Sequence, residues 1–212
     1  MENDQTKEQM WILALACGVL AVIFYLLHDI IGAANYPGYR RMEQAVSDLT
    51  AVDAPSFAVA GGIVTVHKIL SCVYYAYFCF LIKNERRVLR IGIYLFAVMH
   101  GISAIGYALF PLTGSGYDGS AQSFIHVYVL TAAVVLLSIV SLVLIAAGSF
   151  RSKYRLLGIL TIAALAAMFF GAAGSQSVPK EYFGAVERLS TYSATIYTGV
   201  SAVYGFARLR NH

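Results

Sequence analysis

Charged residues are scarce in this chain: Asp, Glu, Lys and Arg make up only 12% of its 212 residues. A water-soluble domain carries about 25% charged residues, so an ordinary hydrated globular surface is excluded. Hydrophobic residues make up 59% of the chain, which excludes intrinsic disorder as well. The net charge of +4 comes from short basic clusters between apolar runs. That pattern favours a membrane protein over a surface that binds nucleic acid.

Cysteine and proline are also rare. The three cysteines, Cys17, Cys72 and Cys79, all lie inside apolar runs, and there is no C-x-x-C motif. A structural disulfide between loops and a thiol redox motif are therefore not expected, and each cysteine is interpreted as a small buried hydrophobe. The four prolines all fall between or at the ends of apolar runs: Pro37, Pro55, Pro111 and Pro179.

Long apolar runs are what the sequence has in abundance. A helix needs roughly 20 apolar residues to cross a bilayer core of about 30 Å, and six runs reach that length. They cover approximately residues 11–33, 56–82, 91–111, 124–148, 156–174 and 185–207. The sequence therefore predicts an all-α, polytopic membrane protein, a six-transmembrane-helix bundle that forms a single domain over residues 1–212.

The distribution of basic residues predicts the orientation of this bundle. Ten lie at one end, and four lie at the other. Because basic loops stay on the cytoplasmic side, both the N- and the C-terminus are predicted to be cytoplasmic. The protein is predicted to lie in the plasma membrane. The loops at residues 34–55, 112–123 and 175–184 then face outside. The ten are Lys7, Lys83, Arg86, Arg87, Arg90, Arg151, Lys153, Arg155, Arg208 and Arg210.

Ionisable residues within the predicted spans mark candidate sites, because a charge inside a bilayer is costly and needs a partner or a function. His67 and Lys68 lie near the middle of the second span, and His100 lies near the middle of the third. Tyr107 shares a helix face with His100 by its i, i+7 spacing. Lys68 is expected to extend toward the membrane surface or to pair with an acid such as Asp29 or Glu187.

A second set of ionisable residues falls at the predicted outer rim: His28, Asp29, His126, Glu187 and Asp48. These residues are interpreted as mutual ion pairs and helix caps, as a ligand pocket, or as a metal site. Histidine and carboxylate ligands suit zinc, but no two histidines have i, i+4 spacing. A haem held by His67 and His100 is conceivable, although each helix supplies only one histidine. Neither a metal nor a cofactor is predicted.

The loop between the first two spans is the most distinctive stretch. Tyr36-Pro37-Gly38-Tyr39 forms a turn with aromatic residues suited to the membrane interface. Residues 42–50 are predicted to form a short amphipathic helix over the mouth of the bundle, with Leu49 inward and Asp48 outward or capping.

This loop, with His28-Asp29 before it and Phe110-Pro111 and His126 after it, resembles the bacterial and archaeal six-helix family of domain of unknown function 998. That resemblance implies the fold and topology and no established activity. Ser47-Asp48 also resembles a Ser-Asp pair of the Frag1/DRAM/Sfk1 family, which acts in lipid remodelling. The first resemblance points to residues at the outer mouth: His28, Asp29, Tyr36, Pro37, Ser47, Asp48, Pro111 and His126.

Three functions remain open from the sequence, and it does not decide whether the protein is an enzyme. The leading hypothesis is a polar pocket at the extracytoplasmic mouth that binds or handles a lipid or another amphipathic small molecule. The alternatives are an intramembrane hydrolase or acyltransferase that uses Ser47 or a metal-bound water, and a small proton-coupled transporter that uses His67, Lys68 and His100. Expected partners are membrane lipid, the ligand and a second copy of the chain in a homodimer, with no nucleic acid.

Overall fold

The structure, a computed structural model, describes residues 2–209, and those residues form six long helices and no strand. Five of the helices, α1 to α5, are long and apolar enough to cross a membrane. The helices are α1 (Glu2–Ala34), α2 (Phe57–Leu81), α3 (Arg87–Leu109), α4 (Ala121–Phe150), α5 (Arg155–Gly174) and α6 (Lys180–Tyr204). Arg210, counted above among the basic residues, lies outside the described residues.

The predicted apolar runs match these helices, and the differences fall at the helix ends. Helix α1 extends back to Glu2 because residues 2–10 contain neither proline nor glycine to end it. Helix α6 begins at Lys180, five residues earlier than predicted, directly after Pro179. Glu187 therefore lies in the second turn of α6 rather than at its start.

The six helices form a closed ring in chain order. Each packs against the next along the chain, and α6 packs against α1 to complete the ring. Glycine allows the closest of these approaches: a Cβ atom on Gly171 of α5 would lie 2.3 Å from the backbone nitrogen of Ser190 on α6. Small residues permit such contact between apolar helices, where side-chain packing replaces the hydrophobic effect as the driving force.

Helix α6 is less apolar than the others, and its polar side chains point into the ring. Its inward face buries hydroxyl groups, whereas Leu189, Ile196 and Val203 are 45%, 46% and 52% exposed. These three residues are spaced seven apart and so form one outward stripe. The low mean hydropathy of α6 thus averages an apolar, exposed stripe with a polar, buried face.

Packed aromatic side chains fill the half of the ring that is remote from the loop of residues 35–56. Trp11, Tyr74, Tyr75, Phe78 and Tyr197 belong to this core and are nearly inaccessible. The tyrosine hydroxyls are bonded across helices, from Tyr74 to Ser201 at 2.8 Å and between Tyr75 and Thr198 at 3.2 Å. Packed side chains therefore fill this half of the bundle.

Candidate functional site

A cavity of about 200 Å³ lies inside the ring, between the aromatic core and the first loop (residues 35–56). Five of the six helices contribute to its wall; α5 does not. Its polar lining residues are Tyr25, His28, Ser47, Thr50, His67, Lys68, His100, Ser103, Tyr107, His126, Thr131, Glu187, Thr191 and Thr195. Val46, Val64, Met99, Val134 and Ala194 supply an apolar part of the same wall.

Most of the residues singled out from the sequence meet at this cavity. Eight of the eleven candidates line it, although they come from five helices and a loop: His28, Ser47, His67, Lys68, His100, Tyr107, His126 and Glu187. The remaining three, Asp29, Tyr36 and Asp48, lie elsewhere at the same end of the bundle.

Three imidazoles on the wall differ in how their nitrogens are used. Nδ1 of His67 donates to the carbonyl of Ala21 and Nδ1 of His126 donates to that of Phe110, each at 2.8 Å. A carbonyl only accepts, so Nδ1 carries the proton in both rings. His28 differs from them: it is 3% exposed, and neither of its ring nitrogens has a hydrogen-bond partner within residues 2–209.

His100 forms the floor of the cavity, where the polar wall meets the aromatic core. Its ring stacks on Tyr75 at 4.6 Å between centroids, and its Nε2 lies 3.3 Å from the hydroxyl of Thr198. The ring also meets Phe96 edge-on. These contacts close the cavity toward the filled half of the bundle.

His126 is positioned by a π-helical turn over Ile125–Leu130 in α4. Such turns insert one residue into a helix and are frequent at functional sites. The hydroxyl of Thr131 donates to the carbonyl of His126 at 2.9 Å and pairs with the hydroxyl of Tyr107 at 3.1 Å. The irregular turn thereby places His126, Tyr107 and Thr131 together on the wall.

A groove of about 740 Å³ leads from the cavity to the surface. It runs between the first loop, the α3–α4 loop (residues 110–120) and the end of α5, and it also touches α6. Four residues line both the groove and the cavity, which makes them the mouth between the two: Ser47, His126, Thr131 and Glu187.

Asp29 is not part of the cavity but the centre of a buried ion-pair cluster. Its side chain is fully buried, and it accepts two parallel hydrogen bonds from Nε and Nη2 of Arg188, each at 3.0 Å. Arg41 donates to it at 2.6 Å, and the Tyr192 hydroxyl also donates to it. The first of the open interpretations, mutual pairing, therefore describes Asp29.

Arg188 extends this cluster into the first loop. Its Nη1 donates to the carbonyls of Arg41 and Gln44 at 2.7 and 2.9 Å, and its Nη2 donates to the hydroxyl of Tyr39 at 2.5 Å. One guanidinium thus ties α1, α6 and the loop together, with no donor left over for a ligand.

The prediction of an amphipathic helix over residues 42–50 of the first loop is wrong. Turns and a single 3₁₀ helix, Val46–Thr50, replace it, and Leu49 is buried as predicted. Asp48 points inward instead of outward, because Ser115 and the backbone N–H of Gly116 donate to its carboxylate at 2.6 and 3.1 Å. Burial raises the pKa of Asp48, and these hydrogen bonds offset only part of that effect.

Two further expectations are corrected. The structure shows no ion pair between Lys68 and either Asp29 or Glu187 among residues 2–209; the arginines occupy Asp29, and Glu187 accepts from the N–H of Val46 at 3.3 Å. Tyr36 packs against Tyr39 and the buried residues of the first loop, away from the cavity.

No group of three or more His, Cys, Asp or Glu side chains in the described part of the chain is arranged to hold a metal ion. The four histidines of the cavity instead use backbone carbonyls, a hydroxyl and aromatic rings as neighbours.

Several site residues were missed from the sequence. Tyr25, Thr131 and Thr191 are common polar or aromatic residues of apolar helices, and nothing in their local pattern separates them from other such residues. Arg188 carried a usable signal, since an arginine within a helix that packs in an apolar bundle requires a buried partner. Its position at the start of the predicted span hid that signal.

Comparison with known proteins identifies the family. The family model described as protein of unknown function (DUF998) matches residues 19–204, which is most of the chain. The chain belongs to this family, and the resemblance seen in the first loop is confirmed; the resemblance to Frag1/DRAM/Sfk1 proteins is not shown. No curated protein and no solved structure matches the chain.

Proposed function

We propose that this member of the DUF998 family binds an amphipathic small molecule, a lipid of the plasma membrane, with the polar group of the ligand in the cavity. A cavity of about 200 Å³ is smaller than the roughly 300–1,000 Å³ of most complete ligand sites. The remainder of the ligand then occupies the groove, whose lining includes Leu112, Tyr117, Val127 and Phe183.

The observation that carries this proposal is the state of His28. A buried polar group without a partner costs about 1–3 kcal/mol, and His28 has two such atoms on the wall of a cavity. A hydrogen-bonding ligand in the cavity would partner the His28 ring and recover part of that cost. The cavity wall contains both apolar and hydroxyl-bearing residues, which suit a molecule with both polar and apolar parts.

We also propose the membrane arrangement within which this site acts: six transmembrane helices with both termini in the cytoplasm. Helix α6 has 25 residues, about 37 Å at 1.5 Å per residue, and its exposed stripe of Leu189, Ile196 and Val203 suits contact with lipid. The basic residues at the end remote from the cavity support cytoplasmic termini. The groove then opens on the extracytoplasmic side.

The two alternatives have less support. A hydrolase or acyltransferase needs a base beside its nucleophile, and the described hydrogen bonds include none between the Ser47 side chain and a histidine. A transporter needs a route past His100, where stacked aromatic side chains fill the bundle.

Native mass spectrometry of the purified full chain tests the proposal. The probes are monooleoylglycerol, oleate, oleoyl lysophosphatidic acid and oleoyl lysophosphatidylcholine, each added to protein in mild detergent. Wild-type protein is expected to retain at least one of them. Ser103→Phe, which fills the cavity from α3, is expected to weaken that retention at least tenfold.

The matched control is Ala132→Phe, which adds the same ring at an exposed position of α4 and is expected to retain the probe like wild type. Retention by Ser103→Phe equal to that of Ala132→Phe would place the ligand outside the cavity. A wild-type protein that retains no probe would overturn the proposal without reference to either variant.

A further inference from the structure

Lys68 is the one lysine on the cavity wall among the described residues, and it lines the same space as four histidines. His28 comes from α1, His67 from the same helix as Lys68, His100 from α3 and His126 from α4. Their imidazoles supply hydrogen-bonding atoms but no negative charge.

The acids of this end of the bundle are engaged elsewhere. Asp29 is bound by Arg188 and Arg41, and Asp48 is bound by Ser115 and Gly116 in the groove. Glu187 lines the cavity but accepts from Val46 and forms no ion pair with Lys68 within residues 2–209. A half-buried ammonium within a helix bundle is costly without a counter-charge, and the described residues give Lys68 none.

The position of Lys68 along the passage sets which part of a ligand meets it. Glu187, His126, Ser47 and Thr131 line both groove and cavity, whereas Lys68 lines the cavity alone. A group that contacts Lys68 has therefore passed the mouth. In a cavity of about 200 Å³, the first group to enter is the free end of the ligand.

We infer that the ligand ends in an anion, a carboxylate or a phosphate monoester, which binds the ammonium of Lys68 and the unpartnered ring of His28. This inference rests on the proposed function and narrows it to amphipathic acids. The negative charge supplies the counter-ion that Lys68 lacks, and its oxygens accept from the N–H of His28. Ligands whose anion lies behind a bulky cation, or that have no charge, lack this match.

The test compares four probes by native mass spectrometry on wild-type protein, Lys68→Gln and Lys153→Gln. Oleate carries a terminal carboxylate and oleoyl lysophosphatidic acid a terminal phosphate, so the two distinguish the source of the anion. Monooleoylglycerol is uncharged, and oleoyl lysophosphatidylcholine has an internal phosphate. Lys153 is exposed between α4 and α5 and lines neither the groove nor the cavity, so its variant removes an equal charge away from the binding site.

Wild-type protein is expected to bind at least one terminal acid tenfold or more tightly than either other probe. Lys68→Gln is expected to lose that preference, while Lys153→Gln keeps it within threefold. Lys68→Arg retains the charge and is expected to keep the preference, which separates loss of charge from misfolding.

Equal binding of monooleoylglycerol and of both acids, or an unchanged preference in Lys68→Gln, would overturn the anionic end group and leave the proposed function intact. Failure of every probe to bind wild-type protein would overturn the proposed function itself.

Discussion

At the scale of single residues, the pairing of Asp29 with Arg188 separates the structural charges of this protein from those of the cavity. Both side chains are buried, and each is satisfied by several groups of the protein. Lys68 and His28 lie nearby without such partners. Ionisable side chains at this end of the bundle thus have two roles, in a structural ion pair or in the cavity, and only their contacts distinguish the two.

Replacing Arg188 with Met is expected to destabilise the protein by about 3–5 kcal/mol, because it leaves a buried carboxylate with fewer partners and frees two carbonyls of the first loop. Thermal unfolding in detergent measures the effect. The control is Arg40→Met, which removes an ion pair with Glu43 whose arginine side chain is 72% exposed. Such surface pairs contribute about 0–1 kcal/mol, so similar losses in both variants would contradict the prediction.

Asp48 predicts a dependence of stability on pH. Its pKa in the folded protein is raised by burial, so the folded chain holds the proton more tightly than the unfolded chain, where the pKa is about 3.9. Its contribution is full below that value and is lost as the pH rises through the folded-state pKa.

Asp48→Asn removes this titration and keeps the shape of the side chain. The melting temperature of Asp48→Asn relative to wild type is expected to rise from pH 4 upward until Asp48 is fully ionised. Taking the difference between the two proteins cancels the titration of other groups. A flat difference would show that folding does not shift the pKa of Asp48, and a difference that falls with pH would show that the folded protein favours the ionised carboxylate. Either result would contradict the prediction.

At the scale of elements, the first loop is held in place by hydrogen bonds to α6 and to the α3–α4 loop. The N–H of Ala185 donates to the carbonyl of Met42 at 3.2 Å, and the N–H of Val52 donates to that of Leu112 in the α3–α4 loop at 2.8 Å. A Cβ atom on Gly184 would lie 2.2 Å from the carbonyl oxygen of Gln44. Gly184 is therefore the position at which the loop backbone meets the helix.

Gly184→Ala is expected to displace the first loop and to destabilise the protein by about 1–3 kcal/mol, the usual cost of overpacking. Gly62→Ala on α2 is the control, because a Cβ there meets no atom within 4 Å. Alanine favours a helix over glycine by up to about 1 kcal/mol, so the control is expected to be neutral or stabilising. Thermal unfolding measures the stability of both variants, and equal stability would contradict the close contact at Gly184.

The helices themselves could be predicted well, and the first loop could not. Apolar runs of about 20 residues identify helices because length and composition are local properties of the sequence. The loop takes its form from contacts with Arg188, Ser115 and Gly116, which are 60 or more residues away along the chain. Asp48 therefore turns inward, against the local amphipathic pattern.

At the scale of the whole molecule, the orientation in the membrane is directly testable. In a variant without the three native cysteines, Tyr117→Cys is placed in the α3–α4 loop and Arg151→Cys between α4 and α5. Both positions are exposed. A membrane-impermeant maleimide is expected to label the first variant in intact cells and the second only after permeabilisation, because basic loops remain cytoplasmic. The reverse pattern would contradict the proposed topology.

The helical fold class, the approximate positions of the helices and a set of costly polar residues could all be read from the amino-acid sequence. These follow from hydropathy and from the energy of ionisable groups in an apolar setting, which depend on residue type alone. The packing of the helices was needed to show that Asp29 belongs to a closed ion-pair cluster while His28, His67, Lys68 and His126 share a cavity. That division depends on which distant side chains meet when the ring of helices closes, and no local pattern records it.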